Sequence, residues 1–292
     1  MNGDIFRIGD LNIEIIKPEK MIIPANFMKF AVSFVEGMQI QMKYHLEFTS
    51  EILNVAKEFA VKKVPGKSAV RDTLQVFQTT EGECRVIYLA GERMPYAVSI
   101  VTPSNECRIW VEENYQEWLK LDTVFLAMLS LEKLMIDHDA MILHSAYVCH
   151  DNKAILFSAP SRTGKSTQAQ LWEEYRGTRT INGDRTLLKY RDDKWMAYAW
   201  PVCGSSGICH NENYPIKAIV MLKQANENKV YPLIGLRAVR QVLGQITVNG
   251  WDREFQINAI DNLDKLLKDV PVYQLECNIS EDAVKCLETV IY

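Results

Sequence analysis

The sequence predicts an α+β chain in two parts: a mostly antiparallel, β-rich amino-terminal domain over residues 1–121, then a domain over residues 122–292 in which strands and helices surround a phosphate-binding loop. Three observations carry this. The amino-terminal third is built of short apolar or alternating runs separated by turn residues. From Asp122 the apolar spacing lengthens to three and four, the period of a helix. The stretch Ala154–Trp172, AILFSAPSRTGKSTQAQLW, then reads as a strand, a tight polar loop and the first turns of a helix.

In the first domain, Leu11–Ile16, Phe30–Val35, Cys84–Ala90, Pro95–Val101 and Cys107–Val111 are expected as strands. Across the strand at Arg85, Val86 and Tyr88 share one face, while Arg85, Ile87 and Leu89 take the other. Ser50–Ala60 is a short helix, with Ile52, Val55 and Phe59 along one side. Lys62, Lys63 and Lys67, interleaved with Pro65 and Gly66, read as a solvated loop. A helix over Thr123–Met135, capped by Asp122 or Thr123, links the two parts.

In the second domain, Ala140–Cys149 and Lys153–Phe157 form a hairpin about Asp151-Asn152 that delivers the chain into the loop. Ser166–Tyr175 is helical and Gly177 stops it. The segment Thr178–Leu188, TRTINGDRTLL, places Asp184 at the end of a short apolar-bounded run. Arg191–Lys194 is a charged turn, Trp195–Trp200 a strand, and Cys203–Asn213 a Gly/Ser-rich loop whose small residues allow close approach to a ligand, with His210 as an accessory donor or a surface residue. Beyond the strand Ile216–Leu222 and the polar connection Lys223–Lys229, helices are expected over Leu236–Leu243 (apolar at Leu236, Val239 and Leu243), over Ile260–Leu267, and after a Ser280 cap. Val272–Cys277 is a strand, and the segments after Gly250 are assigned to packing alone.

The chemistry sits at the loop. Backbone N–H groups from Arg162 to Ser166 can surround phosphate oxygens, Lys165 can reach the outer phosphates, and Ser166 or Thr167 can give an oxygen to a divalent metal. Ala159 stands where the strict G-x-x-x-x-G-K-[ST] pattern has its first glycine. Asp184 follows at a distance that suits a second carboxylate facing the loop and holding Mg²⁺ or its waters, so Ser166 and Asp184 are the metal candidates.

The chain has 292 residues, 48 % hydrophobic and 24 % charged, with a formal charge of -4. That balance gives no general attraction to nucleic acid or to an anionic membrane. No leader-like opening or bilayer-length apolar run is apparent, and a cytoplasmic location is expected. The seven cysteines show no pairing framework and no two-cysteine zinc spacing, so reduced thiols are expected.

Taken together, His144, the loop Ser161-Arg162-Thr163-Gly164-Lys165-Ser166-Thr167, the QAQLW that follows and the INGDR segment resemble the HPr kinase/phosphorylase family and, more distantly, ATP-using phosphoenolpyruvate carboxykinase. The resemblance spans His144 to Leu287. It implies a mixed-sheet nucleotide-binding domain, ATP and Mg²⁺ as cofactors with ATP along Ser161–Thr167, and phosphoryl transfer to a hydroxyl. Asp184 or His144 is then the base, and Arg185 and Arg162 pair with phosphate oxygens. Where the family has an aspartate pair before the arginine, this chain has Gly183 and Asp184. An Arg-Gly pair that serves phosphate removal in the family is absent from Cys203–Asn213, which argues against a phosphorylase activity. A serine or threonine on a small protein or peptide is the expected acceptor, and homo-oligomerisation is left open. The alternatives are a nucleotide-gated binding or scaffold protein and a small-molecule kinase.

Overall fold

The structure is a computed structural model that describes residues 3–61 and 63–292, with the backbone alone at residues 61 and 63–71. The chain is a mixed α/β protein with two large mixed sheets. It divides into two units, Met1–Leu131 and Glu132–Tyr292. The expected single linking helix is two short ones, α3 (Asp122–Leu129) and α4 (Leu131–Ile136), because Ser130 between them adopts a left-handed φ of 54° and ends the first.

The first unit runs β1 (Asp4–Ile8), β2 (Leu11–Ile16), α1 (Ala25–Met28), β3 (Ala31–Val32), β4 (Met42–Thr49), α2 (Ile52–Val61), β5 (Lys63–Arg71), β6 (Leu74–Thr79), β7 (Glu83–Tyr88), β8 (Pro95–Val101), β9 (Glu106–Glu112) and α3 (Asp122–Leu129). Its nine strands are ordered β3-β1-β2-β4-β9-β8-β7-β6-β5. Pairing is antiparallel except where β4 lies parallel to both β2 and β9. The apolar side of α2, Ile52 and Phe59, packs on Cys84, Val86, Val98 and Ile100. On the opposite face of β7 the buried Arg85 ion-pairs with the equally buried Glu83 at 2.7 Å.

Three expectations for this unit need correction. The strand at Phe30–Val35 shrinks to Ala31–Val32, and Phe34 and Val35 are exposed. Neither Asp122 nor Thr123 caps α3; the Asp122 carboxylate instead accepts a hydrogen bond of 2.8 Å from Asn26 Nδ2. Of the lysine-rich segment read as a loop, Lys62 lies outside the described residues, and the backbone from Lys63 onward forms the edge strand β5. The register of β5 shifts between Lys63 and Ser68, across Pro65 and Gly66.

The second unit contains α4 (Leu131–Ile136), β10 (Ala140–His150), β11 (Lys153–Ser158), α5 (Lys165–Arg176), β12 (Arg179–Asn182), β13 (Arg185–Arg191), β14 (Lys194–Ala199), β15 (Asn213–Gln224), β16 (Lys229–Pro232), α6 (Gly235–Leu243), α7 (Arg253–Asp269), β17 (Val272–Cys277) and α8 (Glu281–Ile291). The strand order is β11-β10-β13-β14-β15-β17-β16, with β12 beside β10. Strand β11 also pairs in parallel with β15, so β10, β13, β14, β15 and β11 close on themselves. Flanked on both sides, β11 is apolar without alternation, Ala154 to Phe157 all fully buried. Its core continues through Trp172 and Leu171 of α5 and Ala283, Val284 and Leu287 of α8.

The hairpin β10–β11 turns at Asp151 and Asn152, both at positive φ, as a tight two-residue connection requires. At the other end of β11 the chain leaves the closed sheet directly into Ala159–Gly164, which fixes where the loop stands.

Candidate nucleotide-binding site

Two backbone conformations shape the loop. Gly164, at φ 113°, is the residue before α5, and Arg162 has φ 65°. The first is a glycine conformation; the second costs an arginine about 1–2 kcal/mol, strain of a kind that gathers where backbone donors must converge. No side chain caps the start of α5, and Gln168 N donates to Gly164 O at 2.9 Å. The helix therefore opens with donors free of side-chain partners and with the positive end of its dipole in the same place.

These groups line a cavity of about 740 Å³ whose walls are Arg162 through Gln168, Ser205, Gln224, Ala225 and Cys277 through Ile279. Of the loop residues expected to hold phosphate, Arg162, Thr163, Gly164, Lys165, Ser166 and Thr167 face this cavity, whereas Ser161 is exposed and does not.

Lys165 is only 8 % exposed, and its Nζ donates to the carbonyl of Ala159 at 3.1 Å. Burial lowers its pKa, Asp184 draws it back up, and Arg185 pushes it down again. A cation desolvated to this extent and only partly compensated is a strong site for an anion.

Asp184 is held by its neighbour in sequence. The amide of Asn182, fully buried, accepts from the backbone N–H groups of Asp184 and Arg185 at 2.9 Å each and donates to Trp200 O and Val202 O at 2.7 and 3.1 Å. The turn is thereby fixed, and it gathers three predicted residues. His144 Nε2 lies 3.4 Å from Asp184 Oδ1, and Arg185 Nε lies 3.3 Å from Asp184 Oδ2. Burial pushes the Asp184 carboxyl up, but His144, Arg185 and the charge on Lys165 outweigh it and hold it below its ordinary value.

The Gly/Ser-rich loop closes over this carboxylate. A side chain on Gly204 (φ 57°) would put its Cβ 3.0 Å from Asp184 Cγ, so the close approach its small residues allow is to Asp184, while Ser205 faces the cavity. Gly183 is forced in a different way: a Cβ there would sit 2.1 Å from Ser206 Oγ, which donates to Cys203 O. Ser206 occupies the volume that a side chain at 183 would need. His210 is exposed, and its backbone N–H donates to Ile181 O.

With this geometry in hand, comparison with known proteins gives one family. The profile of the family described as SynChlorMet cassette protein ScmC matches residues 107–291, more than half of the sequence. The chain belongs to that family. No curated protein matches it. Among solved structures, the Hpr(Ser) kinase/phosphatase from Coxiella burnetii is similar over 51 % of this chain and 87 % of that one, with 12 % identity and a TM-score of 0.31.

In this ScmC-family chain the cavity also uses residues that sequence reasoning passed over. Cys277, Asn278 and Ile279 form one wall, which corrects their assignment to packing alone. Ser280 stands at the N-cap of α8 as expected, but its hydroxyl makes no capping bond; it donates to Asn278 Oδ1 at 2.6 Å and accepts from Asn228 Nδ2, tying the wall to the turn before β16. Gln224 Nε2 reaches Thr163 O at 3.4 Å. A second omission is Thr247, whose Oγ1 accepts from Arg185 Nη1 at 3.0 Å.

Among the described residues no group of three or more His, Cys, Asp or Glu could cage a metal, and none of the seven cysteines is in a disulfide. The oxygens at hand are the exposed Ser166 hydroxyl, Thr167 and the Asp184 carboxylate. That set suits an ion shared with a bound phosphate, as magnesium is usually held, and would not hold one alone. No helix among the described residues is long and apolar enough to cross a membrane.

Proposed function

We propose that this protein is an ATP- and Mg²⁺-dependent phosphotransferase that acts on a serine or threonine hydroxyl of a small protein or peptide. The observation that carries the reading is the buried Lys165 ammonium, bonded to one carbonyl and facing a cavity lined by an uncapped helix start. The likeness of the loop and INGDR segments to HPr kinase/phosphorylase supports the same chemistry.

In the proposed reaction the acceptor oxygen bonds to the terminal phosphorus as the bond to the ADP oxygen breaks, with the two oxygens in line. Lys165, the α5 amides and Arg162 compensate charge on the phosphate; Ser166 and Asp184 would hold Mg²⁺, which would supply further neutralisation of that charge. Arg185, held beside Asp184 and by Thr247, is assigned to pair with oxygens of the transferred group. The hydroxyl proton passes to Asp184 or His144. A carboxyl held below the ordinary range is a better metal ligand than a base, and a loose transition state needs little help with the proton until late.

A second reading, a nucleotide-gated binding or scaffold protein, is favoured by one observation: Ser206 fills the place where a second carboxylate, at 183, would stand. Titration calorimetry with ATP·Mg²⁺, beside Lys165→Ala, tests the site; heat in the wild type that disappears in the variant is expected, and no heat in the wild type would remove it. Labelled ATP then separates the two readings. Transfer abolished in Asp184→Asn supports the enzyme, and retained nucleotide with no labelled product supports the scaffold.

A further inference from the structure

The apolar pattern of α6 is only partly used inside the chain. Spacing in the sequence predicts a helix that presents Leu236, Val239 and Leu243 as its apolar positions. Instead Ala238 and Val242 are buried, Val239 and Leu243 are half-buried, and Leu236 is 87 % exposed. Ile234, just before the helix, is 77 % exposed. Beside them a groove of about 350 Å³ opens between the end of β16, α6 and α7, lined by Pro232, Leu233, Ile234, Val239, Leu267 and Tyr273. Ile234 lines this groove and Leu236 stands exposed two residues on, and two such aliphatic side chains together are more than the scattered apolar residues of an ordinary surface.

Charge accompanies this face. At helical spacing Arg237 and Arg240 lie on the same exposed side of α6 as Leu236. Among the described residues no acidic side chain pairs with either, while the acid and base nearest the groove, Asp264 and Lys268, are already paired with each other at 2.6 Å. The complementary surface is acidic and aliphatic.

The far end of α6 runs into the candidate site. After Leu243 the chain lies along β10: Gln245 O accepts from His144 N at 2.9 Å, Thr247 N donates to Ile142 O at 2.9 Å, and Thr247 Oγ1 accepts from Arg185. One helix therefore joins the exposed patch to the backbone that holds His144 and Arg185.

We propose that the exposed face of α6 docks an acidic peptide segment bearing aliphatic anchors, and that this segment presents the acceptor hydroxyl, a refinement that rests on the phosphotransferase reading. Nine residues of helix span about 14 Å, which an extended peptide covers in about four residues. The aliphatic anchor in the Ile234–Leu236 groove is thus separated from the modified hydroxyl by about four to six residues, with acidic residues between them opposite Arg237 and Arg240.

The test is selection of a phage-displayed random dodecapeptide library on the full-length protein, set against Leu236→Asp/Arg237→Glu/Arg240→Glu, without nucleotide. Enrichment of sequences joining acidic and aliphatic residues, lost at least tenfold on the variant while ATP·Mg²⁺ titration is unchanged, is the expected result. No enrichment above the variant, or enrichment of basic or neutral sequences, overturns the proposal. So does a wild type that elutes as a dimer while Leu236→Asp elutes as a monomer, since a second copy would then cover the face. Acidic-peptide enrichment by a protein that binds no nucleotide keeps the docking face and removes the transferase reading, so the two failures are told apart.

Discussion

Lys165 is where stability and binding pull in opposite directions. A desolvated ammonium with one carbonyl partner costs folding free energy that only a bound anion offsets. Lys165→Met, which keeps the stem and removes the charge, is expected to raise the stability of the nucleotide-free protein by about 1 kcal/mol while abolishing ATP binding; denaturant melts and calorimetry on the same samples read both. A purely structural lysine would lose stability instead.

Asp184 gives the matching pH signature. Its pKa is lowered in the folded protein, so it contributes stability that is fully present above the ordinary carboxylate value and lost as pH falls through the folded one. The stability difference between wild type and Asp184→Asn is therefore expected to be flat from neutral pH down to about pH 5 and to shrink in more acid solution. A difference that grows on acidification would contradict the assigned environment. That Lys165 stands where a polar loop enters a helix was legible in the sequence, because Gly-Lys-Ser-Thr follows an apolar run; that it would be buried was not, since burial depends on the carbonyl of Ala159 and on the strands packed around it.

At the scale of elements, the site depends on how β12 hands over to β13. Asn182 makes four hydrogen bonds from a fully buried position, two to the amides that orient Asp184 and Arg185 and two to the strand-end carbonyls of Trp200 and Val202. Asn182→Ala leaves those groups without partners, and a loss of about 3 kcal/mol in chemical denaturation is expected, with transfer activity falling further than nucleotide affinity because Lys165 and the α5 start are untouched. Equal loss of both would mean that the turn only supports the fold.

Element by element, strands with alternating or continuous apolar runs, such as β2, β8, β10 and β17, could be read because burial on a sheet face leaves a period of two or none. Strands β1, β4, β5, β6, β12, β13 and β16 were missed; β16 is short, mostly exposed and defined by pairing with β17 alone. The helix α6 was legible but its cover was not: periodicity says that an apolar stripe wants cover, but not whether the cover belongs to the same chain.

For the whole molecule, two large mixed sheets in two units were partly visible as the change of apolar period at Asp122. The parallel joins at β4 and the closure of β11 onto β15 were not, because they bring together residues far apart in sequence that no local pattern marks. That closure is also what sets the loop beside β17, and so brings Cys277–Ile279 to a cavity otherwise made from loop residues more than a hundred positions earlier, from Ser205 and from the end of β15. The central claim is a polyphosphate cradled by the start of α5 with its metal shared by Asp184. A structure of the full chain with a non-hydrolysable ATP analogue and Mg²⁺ tests it most directly. The account predicts the terminal phosphates within hydrogen-bond reach of Lys165 Nζ and the amides of Thr163 to Ser166, with the ion between the phosphates, Ser166 Oγ and Asp184. A nucleotide seated elsewhere, or phosphates there with the ion remote from Asp184, would contradict it.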